Sequence, residues 1–452
     1  MDDRRPGDRD QAPPGPARSA KGGRRGRLGP MRSIARRLLR RGAAPERPPA
    51  SRPSGDYGIA SLHRATLEAS PDPRYRLNLV LPTVAAARTF GGIRTAIDVF
   101  EAVAVHAPEG RIVAAAGAGS GATAAIDGYL EEDPTPDPGD ADGPRTRSVA
   151  LLGGRDATLS VRANDVFMAT SWTTAELVVR IRRWQVTTFG SAPDAFGYVV
   201  QDYEPGFYAL SAHHLLARDT YARPEETVGI FNTALLRDFF HETGIRFALE
   251  HTFEPRMLPP LRAALQRPPA VRSRTILVYG RPTTPRNAFP AIIDGLRVWR
   301  AGDPDSDGWT VLSMGGEHPE IDLGRGMTLR SVGKLDLEAY ATLLREAAIG
   351  VSLMVSPHPS YPPLEMAYLG MLVATNRFAN KDLERWHPNI RSVDDLSAEG
   401  VAAAISELCR RFETDPGSGD RAVPIRREFT SDEPQFPFAA ELAAQLEAGT
   451  HA

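Results

Sequence analysis

Short apolar, partly β-branched runs recur along this chain, each followed after a few polar residues by a stretch of helical period. That alternation constrains the fold more than any other feature. The runs are Arg76–Leu81, Ile112–Ala116, Ser148–Leu152, Asp165–Thr170, Gly197–Gln201 and Val228–Phe231, and then Thr275–Tyr279, Trp309–Ser313, Met327–Val332, Ile349–Val355 and Met371–Thr375. Most are apolar throughout and do not alternate, which predicts strands covered on both faces, as in a parallel sheet layered with helices. Helices are predicted around Ile97–Ala104, Thr173–Trp184, Ala234–His241, Ala288–Trp299, Asp336–Glu346 and Ala398–Phe412. A last amphipathic helix is expected over Gln435–Leu446. Between the two series, Phe253 to Pro269 is rich in proline without a clear period and reads as an interdomain linker.

This pattern predicts an α/β protein with two Rossmann-like domains facing across a cleft, where a ligand would sit. The expected division is a tail over 1–72, an N-terminal domain over 73–270 and a C-terminal domain over 271–428. A trailing helix within 429–452 is expected to pack back toward the first domain. A chain of 452 residues is long for a single core and suits two. No apolar run approaches 18 residues and the N-terminus lacks the apolar core of a signal peptide, so a cytoplasmic location is the default expectation. The single cysteine, Cys409, rules out an intrachain disulfide framework and speaks against a cysteine-based zinc site. A net charge of −2 excludes a general nucleic-acid binder.

That average hides an asymmetry. Residues 1 to 52 are rich in arginine, proline and glycine and have too little apolar surface to offset their ordering entropy, so disorder is expected there. Within them, Ile34, Leu38 and Leu39 stand among arginines of the segment 31–41. As a helix this segment would suit an anionic membrane surface, giving peripheral contact at the inner face. It reads equally as a solubilising tail, or as sequence upstream of the true start at Met31.

Polar residues collect just after the predicted strand ends, and in open parallel sheets those ends share the edge where ligands bind. In the second series they are Arg281, Arg286, Asn287, Gly315, Gly316, Lys334, Ser356, His358, Ser360, Tyr361 and Glu365. Two arginines, a lysine and helix N-termini at one edge suit a diphosphate. Pro362 and Pro363 fit the first turn of a helix that Gly370 closes. Glu365 is expected in that first turn, either accepting from the two hydroxyls of a ribose or only favouring the helix dipole. In the first series, Gly91, Gly92 and Arg94 open a helix after a strand, an anion-binding arrangement or a plain tight turn. Asp202 and Glu204 follow a strand end, as groups that bind or deprotonate a hydroxyl or as turn carboxylates. No aspartate pair is well placed for a metal, and no metal or cofactor is expected.

With these residues the chain resembles the GT-B glycosyltransferases, and within them the WsaF-type rhamnosyltransferases. The resemblance rests on Phe90–Ala96 (FGGIRTA), Val200–Pro205 (VQDYEP), Tyr279–Pro282 (YGRP), Pro285–Phe289 (PRNAF) and the run Ser356–Lys381, and covers roughly residues 75 to 425. It implies a sugar nucleotide, first choice dTDP-rhamnose, held by the second domain. Glu365 would then contact the ribose, Arg281 and Arg286 the diphosphate, and Gly91 and Gly92 would approach that diphosphate from the first domain. The acceptor would be a saccharide or lipid-linked saccharide of cell-surface polysaccharide, with Asp202, Glu204 and His358 as the catalytic candidates. One departure is Pro357, standing where the broader motif has its first glutamate. A sugar-nucleotide epimerase and a non-catalytic nucleotide-sugar-binding protein are the alternatives.

Overall fold

The computed structural model describes residues 65–84, 91–115, 130–131, 147–152 and 157–450. The arginine-rich tail with its segment 31–41, Phe90 of the glycine loop, and nearly all of the acidic stretch within 118–146 lie outside the described residues.

The first half is built from Thr66–Ala69 (β1), Arg76–Leu81 (β2), Gly92–Ala104 (α1), Gly110–Ala114 (β3), Leu130–Glu131 (β4), Arg147–Leu151 (β5) and Thr158–Val161 (β6). It continues through Asp165–Ala169 (β7), Trp172–Phe189 (α2), Phe196–Val200 (β8), Ala212–Asp219 (α3), Thr227–Asn232 (β9), Ala234–Glu242 (α4) and Leu249–Phe253 (β10). Eight of these strands form one parallel sheet in the order β10-β9-β8-β7-β2-β3-β5-β4, while β1 and β6 pair with each other. Its two faces are covered as its apolar strands require. Leu77, Leu79 and Leu81 of β2 pack with Ala96, Phe100 and Val103 of α1. Val80, one residue out of phase, packs with Ala175 and Val178 of α2.

After Pro259–Leu265 (α5), the second half runs Ser273–Gly280 (β11), Phe289–Gly302 (α6), Thr310–Gly315 (β12), Ile321–Gly324 (β13) and Met327–Ser331 (β14). Then come Leu337–Glu346 (α7), Ala347–Val351 (β15), Tyr361–Tyr368 (α8), Leu372–Asn376 (β16), Ile390–Val393 (β17), Ala398–Thr414 (α9) and Ala439–Ala448 (α10). The sheet order is β13-β14-β12-β11-β15-β16-β17, with only β13 antiparallel, at an edge. Ile276, Val278, Ile349 and Val351 face α6 and α9, and Leu277 and Val373 face α7 and α8. The closing helix α10 sets Ala439, Leu442, Ala443 and Leu446 into the core of the first half beside α1.

Chain order reverses between β2 and β7 in the first sheet and between β11 and β15 in the second. Ligands of open α/β sheets bind at such reversals, beyond the carboxyl ends of the strands. The loop after β11 and the loop after β15 therefore meet where a site is expected.

Several elements differ from the sequence reading. The proline-rich stretch read as linker contains α5, whose Leu261 and Ala264 are buried in the second core. Its prolines occupy the first turn, where they cost no hydrogen bond. The expected strand Ile349–Val355 ends at Val351, and side chains take over both backbone groups of Met354 beyond it. Asn376 Oδ1 accepts from Met354 N–H at 2.6 Å and Lys381 Nζ donates to Met354 O at 2.6 Å. Glu365 is the fifth residue of α8 and so lies just past the first turn.

At the opposite edge from the strand ends, Asp165 at the start of β7 is fully buried. Its Oδ1 and Oδ2 accept from Arg76 Nε and Nη2 at 2.7 and 2.8 Å, and Arg162 N–H adds a bond of 2.8 Å. The fully buried Arg111 stands 3.4 Å away and bonds Asn78 Oδ1 at 2.6 Å. Burial opposes the Asp165 charge, but the two guanidinium groups prevail and hold its carboxyl below the usual range. Asp165→Ala strands two buried cations and is expected to cost about 3–5 kcal/mol of stability. Chemical denaturation of the variant measures this, while Asp72→Ala, at the rim of the same network, should cost far less.

Candidate functional site

Three loops at the carboxyl edge of the second sheet are tied together through backbone. Gly316 N–H donates to Gly280 O at 2.7 Å, and Gly315 N–H donates to Gly333 O at 3.0 Å. Nothing larger fits at this junction. A Cβ on Gly280 would stand 2.3 Å from Ser313 Oγ, and one on Gly315, whose φ is 113°, would stand 2.9 Å from Gly280 O. The three sequence-predicted cations ride on these loops. Arg281 extends from the end of β11 next to Tyr279, Arg286 lies in the following turn, and Lys334 is exposed beyond Gly333. Asn287 is buried beside them, its Nδ2 donating to Leu353 O at 3.3 Å and its Oδ1 without a partner among the described residues.

The loop after β15 supplies the polar residues of the signature run. Ser356 Oγ accepts from His358 N–H at 3.0 Å, and His358 Nδ1 accepts from Ser360 N–H at 3.0 Å. Ser360, at φ 69°, turns the chain into α8, where Pro362 and Pro363 sit before the first intrahelical donors. Tyr361 opens that helix and faces Thr95 of α1 and Asn232 at the end of β9, both from the first domain. Glu365 is buried, and its Oε2 accepts from Tyr340 O–H of α7 at 2.7 Å. Burial raises its pKa to about 7, with the Tyr340 bond opposing that rise.

The first domain brings Asp202, two residues past β8, directly onto this loop. Asp202 Oδ1 accepts from Ser356 O–H at 2.5 Å and from Tyr203 N–H at 2.8 Å. Arg286 Nε stands 3.8 Å from Asp202 Oδ2, and its guanidinium lies over the Phe207 ring at 4.0 Å. Burial raises the Asp202 carboxyl, while Ser356 and Arg286 pull it back. Glu204 is engaged differently, since its Oε2 accepts from Trp172 N–H at 3.0 Å at the start of α2. Burial raises Glu204 to about 8. Gly92 abuts the Gln201 side chain, so that a Cβ there would stand 2.6 Å from Oε1. Arg94 is turned along α1 to Asp98 at 2.7 Å and stays half exposed. Gly91 caps α1 at φ 58°.

Lys381 joins this site unforeseen. It is 1% exposed, five residues beyond β16, and a Phe378–Lys381 bridge folds its loop inward. Burial lowers its ammonium to about 7 against the opposing pull of Asp202. The same loop touches the first domain, because Asn380 Nδ2 donates to Leu235 O of α4 at 2.9 Å. Placement after a strand end, the rule that found the other cations, also covers Lys381. Among the described residues no group of three or more histidine, cysteine, aspartate or glutamate side chains is placed to hold a metal ion. None of the described helices is long and apolar enough to cross a membrane.

Residues 76–234 match the family of WsaF N-terminal domains, and residues 274–406 that of WsaF C-terminal domains. The O-antigen biosynthesis protein RfbC of Myxococcus xanthus is 33% identical over 241 residues, which make up 53% of this chain but only 17% of that protein. Among solved structures, the α,α-trehalose 6-phosphate synthase of Burkholderia multivorans aligns with a TM-score of 0.50 at 12% identity, over 83% of this chain and 93% of that one. Trehalose-6-phosphate synthase OtsA aligns with a TM-score of 0.50 at 10% identity, over 83% of this chain and 97% of its own. Identities this low show a shared fold. Two helix-covered parallel sheets opposed across a cleft, with both family domains matched in order, place the chain in the WsaF family with the GT-B fold.

Proposed function

We propose that the protein is a glycosyltransferase that moves a sugar from a nucleoside-diphosphate sugar to a saccharide or glycolipid acceptor in cell-surface polysaccharide assembly. dTDP-rhamnose is the first-choice donor. The observation that carries this reading is the edge of the second sheet. There the glycine junction, Arg281, Arg286 and Lys334 lie on the loops beside the buried carboxylate of Glu365. A diphosphate needs cations and close backbone, and a ribose needs a carboxylate acceptor; this edge offers both. The matched WsaF domains and the O-antigen relative support the polysaccharide setting.

In this reading the donor's diphosphate is the leaving group, and Arg281, Arg286 and Lys334 stabilise the charge it gains as the glycosidic bond breaks. Asp202 is preferred over Glu204 as the group that orients or deprotonates the acceptor hydroxyl. Asp202 faces the signature loop, whereas a Glu204 oxygen is occupied at the N-terminus of α2. Burial raises the Asp202 carboxyl, and Ser356, Arg286 and, more weakly, Lys381 favour its ionised form. The positive charge comes from side chains, so transfer is expected to persist in EDTA.

Two measurements test the donor site. Arg281→Ala and Glu365→Ala should each weaken nucleoside-diphosphate binding by about 1.5–3 kcal/mol in calorimetry, the worth of a charge-assisted hydrogen bond. Unchanged affinity in both would remove the proposed site.

The raised Glu365 also makes a stability prediction. Its folded pKa of about 7 lies above the ordinary 4.5, so the folded protein holds this proton more tightly than the unfolded chain does. Stability from this group is therefore present at low pH and is lost as pH rises from the unfolded value through about 7. Glu365→Gln should accordingly stabilise the unliganded protein at pH 8 by about 1–3 kcal/mol and change little at pH 4, while lowering nucleotide affinity. Thermal melts at the two pH values check the sign.

A further inference from the structure

His358 is held by its own loop in a way that assigns its proton. Ser360 N–H donates to Nδ1 at 3.0 Å, so Nδ1 presents a lone pair and the neutral ring carries its hydrogen on Nε2. The backbone on either side is restrained by Pro357 and Pro359 and by the bond of 3.0 Å from His358 N–H to Ser356 Oγ. The residue is 8% exposed, and Nε2 is buried with no protein partner among the described residues. A buried N–H without an acceptor is destabilising, and a bound ligand atom would recover that loss.

The charges around the ring settle what Nε2–H can do. Lys381 arrives from the loop after β16 and Arg286 from the loop after β11, and both cations oppose a charge on the imidazole. Tyr361 of α8 lies 6.1 Å away, ring centre to ring centre. Asp202 reaches the loop through Ser356 Oγ, which donates to its carboxylate and accepts from His358 N–H. Burial together with the two cations lowers His358 to about 3. A group so placed keeps its Nε2 proton and accepts no second one near neutrality. An uncharged N–H beside two cations is complementary to an electron-rich oxygen.

We propose that His358 acts as a fixed, uncharged Nε2–H donor to an oxygen of the pyrophosphoryl-sugar part of the donor substrate, and not as an acid or a base. This rests on the glycosyl-transfer reading above and specifies one contact within it. The loop Ser356–Ser360 exists in this account to fix one tautomer and one ring orientation. Sugar and phosphate oxygens share the acceptor chemistry, and the experiment separates them.

Three variants isolate the two ring nitrogens. In His358→Asn the amide oxygen takes the place of Nδ1 and keeps the Ser360 bond, while the Nε2 donor is lost. In His358→Gln an amide N–H reaches the Nε2 position. His358→Ala removes both. Calorimetry with a nucleoside diphosphate and with its nucleotide sugar, and transfer rates between pH 6 and 9, are measured for each protein with its melting temperature.

The expected result is a loss of about tenfold or more in kcat/KM for the Asn and Ala variants, with the Gln variant within a few-fold of wild type. Wild type and His358→Gln should share one pH profile. Weaker binding of the diphosphate alone would place the oxygen on phosphate, and weaker binding of the nucleotide sugar only would place it on the sugar; either supports the assignment. An Asn variant equal to wild type beside a folded but inactive Gln variant would overturn it, since the ring would then serve only to hold the loop. An acid limb present in wild type and absent from the Gln variant would overturn it as well. A wild-type protein that binds no nucleotide sugar would instead defeat the glycosyl-transfer reading, and this assignment with it.

Discussion

Two parallel sheets, each buried on both faces, leave polar chemistry only one kind of place to go. The strand interiors are committed mainly to apolar packing, as with Leu277 toward one layer of helices and Val278 toward the other. Apart from Arg182 and Arg300 on helices, the buried charged residues among those described lie near strand starts or beyond strand ends. At the starts, Asp165 with Arg76 and Arg111 forms a closed, mutually satisfied network. Beyond the ends, the loops after β11, β12, β14 and β15 carry groups that protein partners satisfy only in part, among them Asn287 Oδ1 and His358 Nε2. The first network suits stability, and the second suits a ligand.

The unfinished edge is held in a costly electrostatic state. Glu365 and Glu204 are pushed up to about 7 and about 8, and Lys381 is pushed down to about 7, in each case mainly by burial. Such shifts mean that the folded protein gives up stability to keep these groups where they are. Strongly perturbed groups gather at sites that do chemistry more often than elsewhere; here Glu365 and Lys381 lie beyond strand ends of the second sheet and Glu204 beyond β8 of the first. The Asp202–Ser356 contact and the Asn380–Leu235 bond show that the same loops also join the two domains. The proposed donor site and the contact between the domains therefore involve common residues.

The sequence was legible wherever burial dictated it. Arg76–Leu81, Thr275–Tyr279 and Met371–Thr375 read as strands because covered strands must be apolar throughout, and each strand is found there. Edge elements escaped notice. Leu249–Phe253 and Ile321–Gly324 carry charged residues because one side of an edge strand faces solvent, and Ala212–Asp219 buries only Ala217. For the site, position after a strand end foretold which loops meet, but not which side chains face each other. Arg94 pairs along its helix with Asp98, an (i, i+4) partner that competes with any ligand for its guanidinium. Lys381 also follows a strand end, but its burial depends on the local Phe378–Lys381 bridge, which leaves no mark in the sequence pattern.

The central claim is that a nucleoside diphosphate sits on the glycine junction and α8 of the second domain. Hydrogen exchange of the full chain, with and without a nucleoside diphosphate, tests this residue by residue. The account predicts slower exchange at the amides of Arg281–Asn287, Gly315–Gly316 and Ser356–Glu365, with the strand starts around Asp165 unchanged. Protection confined to the first domain, or none at these loops at saturating nucleotide, would contradict it.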